Sequence, residues 1–117
     1  MIAVRESEET VVVEVDGEFA EQVIDEFNSV IASLISNGKV HVVLNLKRAR
    51  WTSLKALKWL VEYVRKLRQR DGDLKLAGLN PYLANLLELT GTLAMFDVYS
   101  SVDDAVASYR LVSQPAK

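Results

Sequence analysis

The run Thr10–Val15, TVVVEV, is β-branched but for one glutamate and stops at the turn pair Asp16-Gly17, so the pattern predicts a strand. Residues 3–7 are its expected partner. Between Phe19 and Ile35, apolar side chains recur at Phe19, Val23, Phe27, Ile31 and Ile35, the i, i+4 stripe of an amphipathic helix. Asn37-Gly38 closes it, because glycine enters the left-handed region cheaply. Val40 to Leu46 is apolar at both parities, as expected of an interior strand covered on both faces.

A short basic connection leads to Thr52 and Ser53, both helix-capping types, and then to a second helical stripe of Leu54, Leu57, Leu60, Val61, Val64 and Leu67 that ends at Asp71-Gly72. Leu74–Gly78 predicts a short strand. Asn80-Pro81 supplies an N-cap and first helical residue for Tyr82–Leu89, which ends near Thr90-Gly91. Phe96–Tyr99 predicts a last strand, and Ser101 with Asp104 resembles a capping box opening a helix through Leu111. The order is strand, strand, helix, strand, helix, strand, helix, strand, helix. It predicts an α/β fold, a mixed and mostly parallel sheet of about five strands with about four helices against it.

Composition narrows the class further. The chain has 117 residues, half of them hydrophobic and 26% charged, which suits one packed domain over 1–117 with 113–117 as a flexible tail. It contains no cysteine, excluding disulfides, a thiol nucleophile and every cysteine-based metal site. No basic leader and no apolar run of membrane-spanning length occurs, so a cytoplasmic protein is expected.

The net charge of −2 conceals a strong segregation. Residues 1–46 hold nine acids and two bases, residues 47–70 one acid and nine bases, and residues 71–117 six acids and three bases. The central basic band could meet an acidic protein surface, nucleic-acid phosphates or anionic lipid. Overall acidity and the acidic flanks weigh against nucleic acid, where a footprint is usually backed by a basic domain, and a solvated face is the plain alternative.

Little in the sequence suggests catalysis. His41 is the one histidine and lies in the most apolar strand, so a structural role is expected. The acids of residues 6–26 read as a solvated face. No glycine-rich phosphate loop occurs. Neither an enzyme nor a bound metal or cofactor is expected.

Two segments carry a family resemblance: VHVVLNLKRARWTSLKALKWLV from Val40, and LRQRDGDLKLAGLNPYLANLLELTG from Leu67. The chain resembles, from about Thr10 to Leu111, the STAS domain of the anti-sigma factor antagonists. That family's pattern is an apolar strand ending in Leu-Asp-Leu, an Asp-Ser-Ser-Gly-Leu helix start, a Gly-Gly turn and strand, and a helix closing on Leu-Glu-Leu-Thr-Gly. Here the strand end is Leu44-Asn45-Leu46. The helix-start box falls on Ser53-Leu54-Lys55-Ala56-Leu57, so Lys55 stands where the family has its phosphorylated serine and Ser53 where it has aspartate.

The resemblance implies a domain without activity of its own that docks on an anti-sigma factor of the ATP-dependent kinase type and is turned off by phosphorylation at that helix start. A phosphate there adds roughly −1.5 to −2 charges within the contact surface, whereas Lys55 fixes a positive one. Thr52 and Ser53 are the neighbouring hydroxyls that could accept phosphate in its place, and a helix cap is their simpler role.

Counting 100° per residue from Leu57 places Trp59 on the polar side of the second helix, where an exposed indole with Trp51 and Tyr63 nearby would anchor a partner. The expected partner-binding set is Arg50, Trp51, Ser53, Lys55, Trp59 and Tyr63, with an anti-sigma factor or related regulator as partner and self-association open. Two alternatives stand beside it: a STAS subunit serving the ATPase of a transporter, and a small-ligand domain holding a nucleotide or lipid at the carboxyl edge of the sheet.

Overall fold

The computed structural model describes residues 2–7, 9–19 and 21–113, the side chains of residues 7, 51 and 111–113 excepted. The tail at 114–117 lies outside them. The chain runs β1 (Ile2–Ser7), β2 (Thr10–Val15), β3 (Gly17–Phe19), α1 (Glu21–Ser36), β4 (His41–Asn45), β5 (Ala49–Thr52), α2 (Leu54–Arg68), β6 (Asp73–Ala77), α3 (Pro81–Leu89), a 3-10 turn (Leu93–Met95), β7 (Val98–Tyr99) and α4 (Val102–Ser113).

Five strands form the main sheet in the order β1-β2-β4-β6-β7. β1 is antiparallel to β2, with Val4 opposite Val13, and every other pairing is parallel. Side chains alternate across a strand, so the two faces of β2, β4 and β6 bury different sets. Val11, Val13, Val15, Val42, Leu44, Leu74 and Leu76 form the major core with Ile24, Phe27 and Ile31 of α1, Leu57, Leu60, Val64 and Leu67 of α2, and Leu83 and Leu87 of α3. Val12, Val43 and Ala77 face the other way and are covered by Ala105, Val106 and Tyr109 of α4. The expected both-sided burial of the central strand is therefore what the layers produce.

The second face carries one residue that the hydrophobic pattern hides. Lys75, in the middle of β6, is only 4% exposed. Its ammonium donates to Ser108 Oγ at 2.7 Å and sits 4.2 Å from the centroid of the Tyr109 ring, so a hydroxyl and an aromatic face replace water around the charge. The Tyr109 hydroxyl lies 2.7 Å from the carbonyl oxygens of both Val42 and Asp73, and burial pushes its phenol well above the ordinary range. His41 opens β4 half-buried, its ring 5.0 Å from that of Tyr109.

A second, two-stranded sheet of β3 and β5, paired in parallel, was absent from the sequence pattern. Gly17–Phe19 reads there as a turn and helix start, and 47–51 as a connection. Three or four residues are too few to show a period of two, and a register shift between Gly17 and Glu18 interrupts the pairing. The consequence lies at α2: β5 delivers the chain to the start of that helix along a fixed path. α1 accordingly begins at Glu21, and Phe19 is buried as a strand residue.

Candidate functional site

The start of α2 is built by three consecutive residues with different duties. Thr52, 5% exposed, ends β5 and donates from Oγ1 to the Phe19 carbonyl at 2.7 Å. Ser53 is the N-cap: extended at φ −114°, ψ 161°, its Oγ accepts from the Ala56 amide at 3.1 Å and donates to Glu21 Oε1 at 2.8 Å. One orphan amide of the helix start is thereby satisfied, and the first turns of α1 and α2 are tied together. Leu54 and Lys55 then turn outward, Leu54 at 60% exposure.

Those placements sort the phosphorylation candidates. Thr52 is corrected: its hydroxyl is buried and committed to Phe19, so it offers no acceptor at the surface. The Ser53 hydroxyl is half-buried and engaged on both sides. Lys55, at the aligned switch position, is exposed, and among the described residues no ion pair engages it.

The expected partner-binding set does not form one surface. Arg50 and Lys55 are exposed, whereas the side chain of Trp51 lies outside the described residues. Tyr63 is corrected outright: it is 1% exposed, its hydroxyl donates to Asn28 Oδ1 of α1, and its ring is 5.0 Å from that of Phe27. Burial and the charge of Asp25 push its phenol up to about 12. Trp59, expected to be exposed, is half-buried and stacked on Tyr63 at 6.1 Å. The physical reason is that α1 packs beside α2 on the same face of the sheet. A single stripe centred on Leu57 accounts for the sheet contact only, and Trp59 and Tyr63 form a further flank turned to α1.

The other flank of α2 was not foreseen. Leu54, Leu57, Lys58, Val61 and Met95 line an open groove of about 630 Å³ between α2 and the segment after α3. Its mouth is mostly apolar with Lys58 and Glu62 at the rim, and Leu89, 84% exposed, closes α3 just before the groove's Thr90. Leu54 and Val61 were read from the sequence as core residues of the stripe; the signal that separates them is their distance, around the helix, from Leu60, Val64 and Leu67. Among the described residues no group of three His, Asp or Glu side chains is placed to hold a metal, and no helix is long and apolar enough to cross a membrane.

Comparison with known proteins agrees with this architecture. The family model described as the STAS domain matches residues 1–105. A Bordetella bronchiseptica protein, BtrV, assigned as an anti-sigma factor antagonist, is 29% identical over 86 residues, 74% of this chain and 74% of its own. The crystal structure of a Thermotoga maritima protein assigned as an anti-sigma factor antagonist superposes with a TM-score of 0.86 at 16% identity, covering 93% of this chain and 94% of that one. The anti-sigma factor antagonist SpoIIAA in its unphosphorylated form gives 0.74 at 16% identity, with 97% and 100% covered.

Proposed function

The chain belongs to the STAS domain family, and from that premise we propose that it is a non-enzymatic binding module that docks on an anti-sigma-type regulator through the start and outer face of α2, with no phosphoserine switch at the usual position. The observation that carries this reading is an exposed Leu54 lining the apolar groove, followed at once by an exposed Lys55 in the first turn of α2. An isolated exposed leucine means little, but one continuous with an apolar groove gains most when a partner desolvates it. Lys55 favours an acidic patch beside that contact. A phosphoserine would repel such a patch, so the substitution replaces a reversible charge with a permanent one of the opposite sign.

The test is titration of the wild type, Leu54→Asp and Lys55→Glu against the regulatory protein that co-purifies with the chain from native lysate. Both substitutions are at exposed positions, so the melting temperature should stay within a few degrees. Each should weaken binding by ~10-fold or more. Unchanged affinity for both variants would remove the start of α2 from the interface.

A further inference from the structure

We infer that the groove between α1 and α2 is a second docking surface, shaped for an acidic segment of a partner protein that carries an apolar residue at its centre. This inference is independent of the reading given to the start of α2. The groove, about 690 Å³ and open, has Ile31, Ala32 and Ile35 of α1 on one wall and Trp59, Lys66 and Arg70 on the other. Trp59 stands half-buried in it, held in place by its stack on Tyr63. An amphipathic ring already fixed in orientation loses little freedom when it is covered, which suits it to be an anchor.

The charges decide what would cover it. Of the basic residues at the end of α2 and just past it, Arg65 pairs with Glu62 at 3.8 Å and Arg68 with Asp73 at 2.9 Å. Lys66 and Arg70 point to the groove, both exposed, and neither ion pair includes them. Arg70 instead donates to the Lys66 carbonyl oxygen at 3.3 Å. Lys66 lies in the last turn of α2 and Arg70 two residues past its end, and this bond holds the two cations at the same end of the groove. The α1 wall offers no carboxylate: its groove residues are Asn28, Ile31, Ala32, Ile35 and Ser36. A partner carboxylate near the Lys66–Arg70 end would supply the missing counter-charge.

A nucleic-acid strand is the less suitable occupant. Its charge is continuous along the backbone, whereas the positive charge here is confined to one end. One helical turn before Asn28, α1 carries Asp25 and Glu26, and its first residue is Glu21. A protein segment can place carboxylates against Lys66 and Arg70 and an apolar side chain on Trp59, leaving nothing negative beside those acids.

The experiment is a two-dimensional amide NMR titration of the isotope-labelled chain with a synthetic 15-residue peptide that has a central leucine pair and glutamates clustered on one side. Saturable shifts are expected at residues 28–36 and 59–70. The double variant Lys66→Glu/Arg70→Glu, at exposed positions, should keep the native spectrum and bind at least ~10-fold more weakly. Raising salt to 1 M, where the screening length is ~3 Å, should weaken the wild type toward the variant. The inference is overturned by absence of shifts up to ~1 mM peptide, by shifts confined to residues 54–61 and 90–95, by equal binding of the double variant, or by tighter binding of a 15-nucleotide single strand than of the peptide. The second of these outcomes would assign the peptide to the start of α2, so failure here is distinguishable from failure there.

Discussion

The hydroxyl of Thr52 and the carbonyl of Phe19 are joined by a buried 2.7 Å hydrogen bond that spans 33 residues of sequence and crosses from β5 to β3. It locks the two strands of the small sheet immediately before α1 and α2 begin. Thr52→Val conserves shape and leaves the carbonyl of Phe19 without this donor. A buried acceptor left unsatisfied costs ~1–3 kcal/mol, and the loss should be read from urea denaturation. Since the hydroxyl is inaccessible, mass spectrometry after incubation with a kinase and ATP should find no phosphate on Thr52.

Trp59 and Leu57 separate packing on α1 from packing on the sheet. Leu57 lies within the core beside Phe19, Leu60 and Leu83, so Leu57→Ala should cost ~2–5 kcal/mol. Trp59→Ala, which removes a half-buried ring from the Tyr63 stack, should cost ~1–3 kcal/mol. Trp59→Phe should recover most of that loss in chemical denaturation. A Trp59→Ala protein as stable as the wild type would mean that α1 and α2 repack without it.

Glycine is required at position 72 by space and not by backbone conformation. A Cβ built there meets the Val40 carbonyl oxygen at 2.1 Å and the Val40 Cβ at 2.5 Å. Neither neighbour can give way, because Val40 is held by the bond from the Asp73 amide to its carbonyl. Gly72→Ala should therefore cost ~3 kcal/mol or more. Gly38→Ala makes the control: nothing lies within 4 Å of its added methyl, and φ is +72°, so only the ~1–2 kcal/mol of left-handed strain applies. Thermal melts of the two variants should differ accordingly.

Alkaline pH should destabilise the fold through two tyrosines. The phenols of Tyr63, at about 12, and Tyr109, higher still, are raised above the ordinary value of 10.0 mainly by burial. Below pH 10 both states keep these protons and stability does not depend on them. Above it the unfolded chain loses protons that the folded one retains, so stability falls, by ~1.4 kcal/mol per pH unit for each group. For Tyr63 the fall ends as pH passes its folded value near 12. Tyr63→Phe should lower stability at neutral pH by the loss of its bond to Asn28 and flatten the decline between pH 10 and 12. An unchanged slope in denaturant titrations at those pH values would show that Tyr63 ionises freely in the folded chain.

The parts of this molecule legible in the sequence are those whose periodicity repeats. Thr10–Val15, the α1 stripe from Val23 onward and the Asn80-Pro81 start of α3 each carry several concordant signals, and each stands where the pattern placed it, while Phe19, read as the head of that stripe, ends β3 instead. The β3–β5 sheet was hidden because its strands, three and four residues long, are too short to establish a period of two. Tyr63 and Trp59 were misplaced because a helical wheel has one centre, while α2 is covered by the sheet and by α1. Lys75 was invisible for a further reason: β6 reads Leu74-Lys75-Leu76, an ordinary half-exposed alternation, and only α4, distant in sequence, turns the polar parity inward. At the candidate site, Ser53 was legible as a cap and Lys55 as an outward cation. The groove that gives Leu54 its meaning depends on where the segment after α3 comes to rest.

The bond between Ser53 and Glu21 decides what an extra negative charge at the start of α2 does. Ser53→Ala removes both the cap and the tie to α1 and should cost ~1 kcal/mol, within the usual ~0.5–2 kcal/mol for lost caps. Aspartate caps a helix as well as serine does and adds a favourable charge at the helix N-terminus. At position 53, however, its carboxylate would replace a hydroxyl that now donates to Glu21 Oε1 at 2.8 Å. A donor becomes an acceptor facing an acceptor. Ser53→Asp should therefore fail to gain the stability its capping merit predicts. Glu21→Gln, which supplies an amide donor in place of the carboxylate, should restore it, with a coupling of ~1 kcal/mol in the double-mutant cycle. Additive effects of the two substitutions would mean that the first turns of α1 and α2 are not electrostatically joined, and a phosphate on Ser53 would then leave α1 undisturbed.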